Sequence, residues 1–311
     1  MCVIRKILCK IVILCASCAL FAQSPSIRLG VLKGISCAPC AYLIENKEKL
    51  AVQNMNFQIF DSAQSELPKL LRGELDAGFL TAEDAAKVFT AGKGALVCVG
   101  VVQNGNAVLL SREENVTALE DVRGKRVLCS ANDSAAKVFE HLLLKKGIPV
   151  AQGASSVALD FSVPQANIAN KLILGEESFA LLSEPYATVA LLNAKEIRRA
   201  ESVQKIYSES EDFSTYPAMF LVVRADFARE NRDLIRRFSD VYKNALNWTN
   251  KNPSKAALLA EKHGLGLSQA VTSAAIPNAA LTWRDGKSAK SDIEKYLTIL
   301  KREIPTEEFY F

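Results

Sequence analysis

The chain has 311 residues, of which 49% are hydrophobic and 23% charged, with a formal net charge of +4. That is ordinary globular composition, enough for one large domain or two lobes of moderate size. Gly and Pro are not enriched, and no internal repeat or low-complexity segment interrupts the sequence.

The first residues, MCVIRKILCKIVILCASCALFAQS, have a basic start (Arg5, Lys6, Lys10), an apolar run and a small-residue site ending at Ala22. This layout predicts a secretory signal peptide over residues 1–22, because the run is shorter than the ~20 residues a spanning helix needs. Cleavage there leaves 35 basic residues against 34 acidic ones, so the positive charge comes largely from the targeting segment. No basic-aromatic face suited to nucleic acid is visible. Ala16-Ser17-Cys18 also suits lipoprotein-type cleavage, which would anchor the chain through Cys18. Four of the eight cysteines fall in this segment; the remaining four are too few for a disulfide scaffold.

From Ser26 onward strand-like and helix-like patterns alternate. Ser26–Leu32 reads as a buried strand, followed by a loop and a helix through Leu50. Phe57–Asp61 is a second strand, with helices from about Ser65 to Gly73 and Ala82 to Thr90 flanking Leu75–Leu80. Ala95–Val102 and Ala107–Ser111 read as adjacent strands. The pattern then restarts with Arg126–Cys129, a helix opening on Ser130 to Ser134, and strands at Val157–Phe161, Phe179–Leu182 and Ala218–Val223. Everything after Arg224 looks helical, with Asn252 as a cap and Pro253 in a first helical position. Such alternation predicts an α/β fold, bilobal in organisation.

Catalytic chemistry has little support. The two histidines, His141 and His263, sit inside helix patterns, and no carboxylate pair or phosphate-binding glycine motif is present. Binding has more. Lys33-Gly34-Ile35-Ser36, Ser62, Thr81 and Ser130 to Ser134 put small polar residues where strands give way to helices. Free N–H groups there favour acceptors, although plain helix capping accounts for any one of them. Ser183-Glu184-Pro185-Tyr186 adds polar and aromatic groups at the tip of an apolar strand.

The segments IRLGVLKG, LLRGELDAGFLTAEDA, LEDVRGKRVLCSANDSA, LLSEPYATVALL and YPAMFLVVRADFARENRDLIRRF carry a resemblance. In their order and spacing the chain resembles the periplasmic substrate-binding proteins of ABC importers, in the nitrate-, sulfonate-, taurine- and thiamine-pyrimidine-binding group, over roughly residues 26–300. The resemblance implies a type II periplasmic-binding fold whose two α/β lobes close on a small ligand, with residues 24–110 and 218–311 in lobe one and 111–217 in lobe two. It places ligand contacts at Gly34, Ile35, Ser36, Ser62 and Thr81 of lobe one and at Ser130, Asn132, Ser134, Glu184 and Tyr186 of lobe two. Gln103, Asn104 and Tyr216 would lie near the hinge or cleft mouth. It further implies a monomer, periplasmic or at the cell surface, that delivers its ligand to an ABC permease in the cytoplasmic membrane, without cofactor, metal or nucleic acid.

Cys37 and Cys40 fall where the family cradles its ligand, and cysteines are not its usual residues there. A local disulfide and a pair of packed thiols are both open; structural cysteines that shape the pocket are favoured over redox chemistry. Few basic residues stand in the loops, whereas nitrate or a sulfonate would ask for a positive clamp. Tyr186, Tyr216 and several amide and hydroxyl groups instead suit an uncharged or weakly charged heterocycle such as a pyrimidine. The rivals are an anion-binding protein on the same fold, a tethered sensor, and a thiamine-pyrimidine biosynthetic enzyme, which would need a cleft histidine, a reactive lysine and no export signal.

Overall fold

A computed structural model describes residues 26–311 except 53, 132, 213 and 267. The expected signal peptide, Cys18 and Asn132 therefore lie outside the described residues.

The chain builds two sheets in succession. β1 (Ile27–Leu32), β2 (Met55–Phe60), β3 (Ala77–Thr81) and β4 (Leu96–Asn104) belong to the first. They are joined by α1 (Ala38–Asn46), α2 (Ala63–Leu71) and α3 (Ala82–Ala91). The chain then crosses into a second sheet with β5 (Val108–Ser111), β6 (Arg126–Leu128), β7 (Ala158–Asp160), β8 (Phe179–Leu182) and β9 (Arg198–Ser202). Helices α4 (Ser134–Lys145), α5 (Gln165–Ile173) and α6 (Tyr186–Asn193) connect these, and α7 (Val203–Ser210) follows. The return strand β10 (Pro217–Arg224) re-enters the first sheet, and α8 (Ala225–Glu230), α9 (Arg232–Lys251), α10 (Pro253–Lys262), α11 (Gln269–Ala275), β11 (Leu281–Asp285) and α12 (Gly286–Ile299) complete it.

Strand order is β11-β4-β10-β3-β1-β2 in one sheet and β7-β6-β8-β5-β9 in the other. β1 runs parallel to β2 and β3, while β10 is antiparallel to both β3 and β4. Two chain crossings therefore join two α/β layers. Strands covered on both faces lose the alternating pattern, and the core strand β4 is buried from Leu96 to Gln103. Along α9, Leu234, Ile235, Phe238, Val241, Tyr242, Ala245 and Leu246 recur at helical spacing and are all buried. Among the described residues, no helix is long and apolar enough to cross a membrane.

The structure corrects several sequence expectations. The C-terminal part is not wholly helical, because β11 pairs antiparallel with β4. β9 was likewise invisible in the sequence, since RRAES carries three charged residues. Both are edge strands, half solvated and under little pressure to alternate. Val108–Ser111 pairs along its whole length with β8 and β9, so a boundary at residue 110 cuts through a strand of the second sheet. Asn252 stands at the N-cap position of α10, yet its side chain donates back to the Trp248 carbonyl in the last turn of α9 at 2.9 Å and makes no cap on α10.

Candidate functional site

Sheet register brings three strands to one rim. Met219 of β10 pairs with Thr81 at the end of β3 and with Gln103 near the end of β4. Across from them stand the carboxyl end of β8, with Ser183 and Glu184 beyond it, and the first turn of α4. Between these rims lies a cavity of about 210 Å³. It is smaller than the ~300–1,000 Å³ typical of drug-sized ligands, and thus suited to a small solute.

The lining is polar, with a short apolar stretch at Ala218 and Met219. Lobe one gives Thr81, Gln103 and Tyr296; lobe two gives Asp133, Ser134, Gln165 and Ser183; the crossings give Gly105, Asn106 and Tyr216. Gln103 is held on both sides: Ser36 Oγ donates to its Oε1 at 2.7 Å, and its Nε2 donates to the Ala279 carbonyl at 2.8 Å. Asn106 Nδ2 donates to the same carbonyl, and its Oδ1 accepts the Glu184 N–H. These amides are therefore fixed before any solute arrives, which lowers the ordering cost of binding.

Charge in the cavity is one-sided. Asp133 caps α4, accepting the Ala135 N–H at 2.9 Å through Oδ1 and the Ser183 hydroxyl at 2.8 Å through Oδ2. The Glu184 carboxylate is fully buried; it pairs with Arg199 and accepts the Thr188 N–H at 3.2 Å. Among the described residues, no Lys or Arg lines the cavity. The ends of helices, ordinarily anion sites, are occupied by the protein itself, since Thr81 Oγ1 accepts the Asp84 N–H at the start of α3 and Asp133 fills that place on α4.

The aromatic wall is closed. Tyr216 lies between Tyr207 and Tyr296, with ring centroids at 5.2 and 5.6 Å, and is only 2% exposed. Gly105 permits this arrangement: a Cβ there would lie 1.7 Å from Cζ of Tyr216. Burial pushes the Tyr216 hydroxyl well above its ordinary value, as it does that of Tyr296. Both face the site as neutral hydroxyl groups, and the expected ring stacking by Tyr216 meets a buried ring already stacked on Tyr296 and in tilted contact with Tyr207.

Of the residues expected from sequence, Thr81, Gln103, Ser134, Glu184 and Tyr216 come together around the cavity. Gly34, Ile35, Ser36, Ser62, Asn104, Ser130 and Tyr186 lie outside its lining. The Gly34 N–H donates to the Leu265 carbonyl at 2.9 Å, which ties the first loop to the C-terminal helices, and Ile35 is buried. Ser36 reaches the site through Gln103. Ser130 is buried, and Tyr186 opens α6 at the surface. The expected ligand contacts omitted Asn106, Asp133, Gln165, Ser183, Met219 and Tyr296, although Asp133 and Ser183 stand in junctions that the sequence singles out. Asp133, Ser183 and Met219 stand inside the segments that carry the resemblance, whereas Asn106, Gln165 and, deep in α12, Tyr296 gave no local signal.

Cys37 and Cys40 are free thiols with no exposed surface. Burial, then the neighbouring Cys37, push the Cys40 thiol well up, the reverse of a reactive dithiol. Among the described residues, no group of three or more His, Cys, Asp or Glu could hold a metal ion.

Two α/β lobes with a polar cavity between their strand ends define the type II periplasmic-binding fold. The chain belongs to the NMT1/THI5 like family, whose pattern it matches over residues 64–256. No curated protein matches it. Among solved structures it is similar to an ABC transporter protein from Parabacteroides distasonis, with a TM-score of 0.77 and 16% identity over 92% of this chain and 98% of that one. It is also similar to the aliphatic sulphonate binding protein SsuA of Escherichia coli (TM-score 0.70, 16% identity, 93% and 92% covered). The nitrate-binding protein NrtA of Synechocystis PCC 6803 shares the fold (TM-score 0.59, 12% identity, 89% and 81% covered).

Proposed function

We propose that the chain is the extracytoplasmic solute-binding component of an ABC importer, and that its solute is a small uncharged or weakly charged polar molecule, a pyrimidine-like heterocycle being the best match. The lobes close on the solute, and the shut form docks on a membrane permease. It binds its solute without transforming it.

The observation that carries the solute class is the charge of the cavity. Asp133 is a carboxylate without a cationic partner among the lining residues. A sulfonate or nitrate would meet that negative charge with no positive clamp to offset it. Ring N–H and amino groups would instead donate to Asp133, while Gln103, Gln165 and Asn106 offer amides to a ring edge. Recognition rests on hydrogen bonds at the ring edge, because Tyr216 and Tyr296 are buried and stacked on each other.

The test is a thermal-shift panel on the purified chain with aminopyrimidines, alkanesulfonates and nitrate, after native mass spectrometry for a carried solute. Aminopyrimidines should raise the melting temperature of the wild type, and Asp133→Asn should lose most of that shift. Stabilisation by sulfonates or nitrate in preference to heterocycles would overturn the solute class while leaving the importer reading intact.

A further inference from the structure

At the edge of the cavity, outside its lining, one carboxylate joins the two lobes. Glu83 lies in the first turn of α3, two residues beyond the lining residue Thr81. Its Oε2 accepts the Ser134 hydroxyl at 2.8 Å, and its Oε1 stands 3.6 Å from Lys137 Nζ; both partners lie on α4 of lobe two. Arg302, beyond α12 in lobe one, donates to Oε1 from its own side. The Glu83 side chain is 17% exposed, so its charge is only partly screened, whereas the Lys137 and Arg302 side chains are about half exposed.

We infer that Glu83 is a positioning residue, a clasp across the cleft rim that holds the lobes together without touching the solute. The inference rests on the reading that the lobes move. Arg302 fixes the carboxylate within lobe one, and Ser134 and Lys137 engage it from lobe two. Ser134 both lines the cavity and donates to the clasp, so a solute that orders Ser134 also orders the Glu83 contact. Elsewhere the lobes meet through helix packing, α12 on α4 and α11 on α6, and through Lys295 of α12, which donates to the Glu211 carbonyl at 3.1 Å and stands 3.4 Å from Asp212. The clasp is therefore a salt-sensitive part of closure, alongside the exposed Lys295–Asp212 pair.

The experiment is small-angle X-ray scattering on the full chain without added solute, at ~20 mM and ~0.5 M salt, where screening lengths differ about fivefold. The wild type should expand as salt rises. Glu83→Ala should show the larger radius of gyration at both salts, and Lys137→Ala an intermediate one at low salt. Arg302→Ala breaks a pair on the same carboxylate that does not cross the cleft, and should scatter like the wild type. Unchanged melting temperatures would show that each variant is folded. Superimposable wild-type and Glu83→Ala curves at both salts would falsify the clasp. Equal expansion in Glu83→Ala and Arg302→Ala would also overturn it, because the effect would then belong to lobe one alone. Scattering reads lobe geometry with no solute present, so the outcome is independent of the thermal-shift panel.

Discussion

Glu66 of lobe one and Glu184 of lobe two are both buried, and the two are stabilised in opposite ways. Glu184 of lobe two has no exposed side-chain surface, but Arg199 pairs with it and the Thr188 N–H donates to it. Glu66 of lobe one, on α2, is equally buried, yet it accepts only the Phe79 N–H at 3.3 Å, and its Oε2 has no partner. Its carboxyl sits against Gly30 and Gly78, where an added Cβ would lie 2.1 and 2.4 Å from Oε1. Burial pushes the Glu66 pKa up to about 8, only partly opposed by the Phe79 hydrogen bond. The lesson is that burial alone does not decide how a carboxyl group is accommodated: Glu184 has a cation beside it at the cleft, while Glu66 folds as a neutral acid in the core.

Breaking the paired member should have the largest effect. Arg199→Ala leaves Glu184 buried without its cation and should cost about 3–5 kcal/mol in urea unfolding. Adding Glu184→Gln should recover most of that loss, and a double-mutant cycle reads the recovery.

The unpaired member should respond with the opposite sign. The folded pKa of Glu66 exceeds its unfolded value of 4.5, so its favourable contribution is complete below pH 4.5 and is lost as pH rises towards 8. Glu66→Gln should therefore flatten the stability profile across that window. Above pH 8 it should be the more stable protein, by at most about 5 kcal/mol. Urea midpoints at pH 5, 7 and 9 check both the sign and the window.

Smaller effects sharpen the contrast. Gly30→Ala forces a methyl group against the Glu66 carboxyl and should cost about 1–3 kcal/mol as overpacking. The same cost in the Glu66→Gln background would show that the clash is steric and not ionic. Thr81→Ala, at the rim, removes the cap of α3 and should cost about 1 kcal/mol, read from the melting temperature.

Much of the site was legible where local chemistry and function coincide. Thr81 and the Asp133-Ser134 pair begin helices directly after strands, so cap-forming residues mark them in the sequence and the rim places them in the cavity. Gly34 to Ser36 occupies the same kind of junction and was read the same way. In the fold that loop is bonded to Leu265 and turned inward, a contact between residues more than two hundred positions apart. Local pattern carries no information about such a partner.

The sequence by itself determined the alternation of strands and helices, the order of the two α/β blocks and the family, because periodicity and capping are local consequences of side-chain chemistry. Tertiary structure alone decided which junctions open onto the cavity, that the Tyr216 ring is spent on Tyr207 and Tyr296, and that Glu66 lacks a cation while Glu184 has one. Those outcomes depend on strand register and on what packs across a sheet. They are set by distances between segments far apart in the chain, which no window of sequence contains.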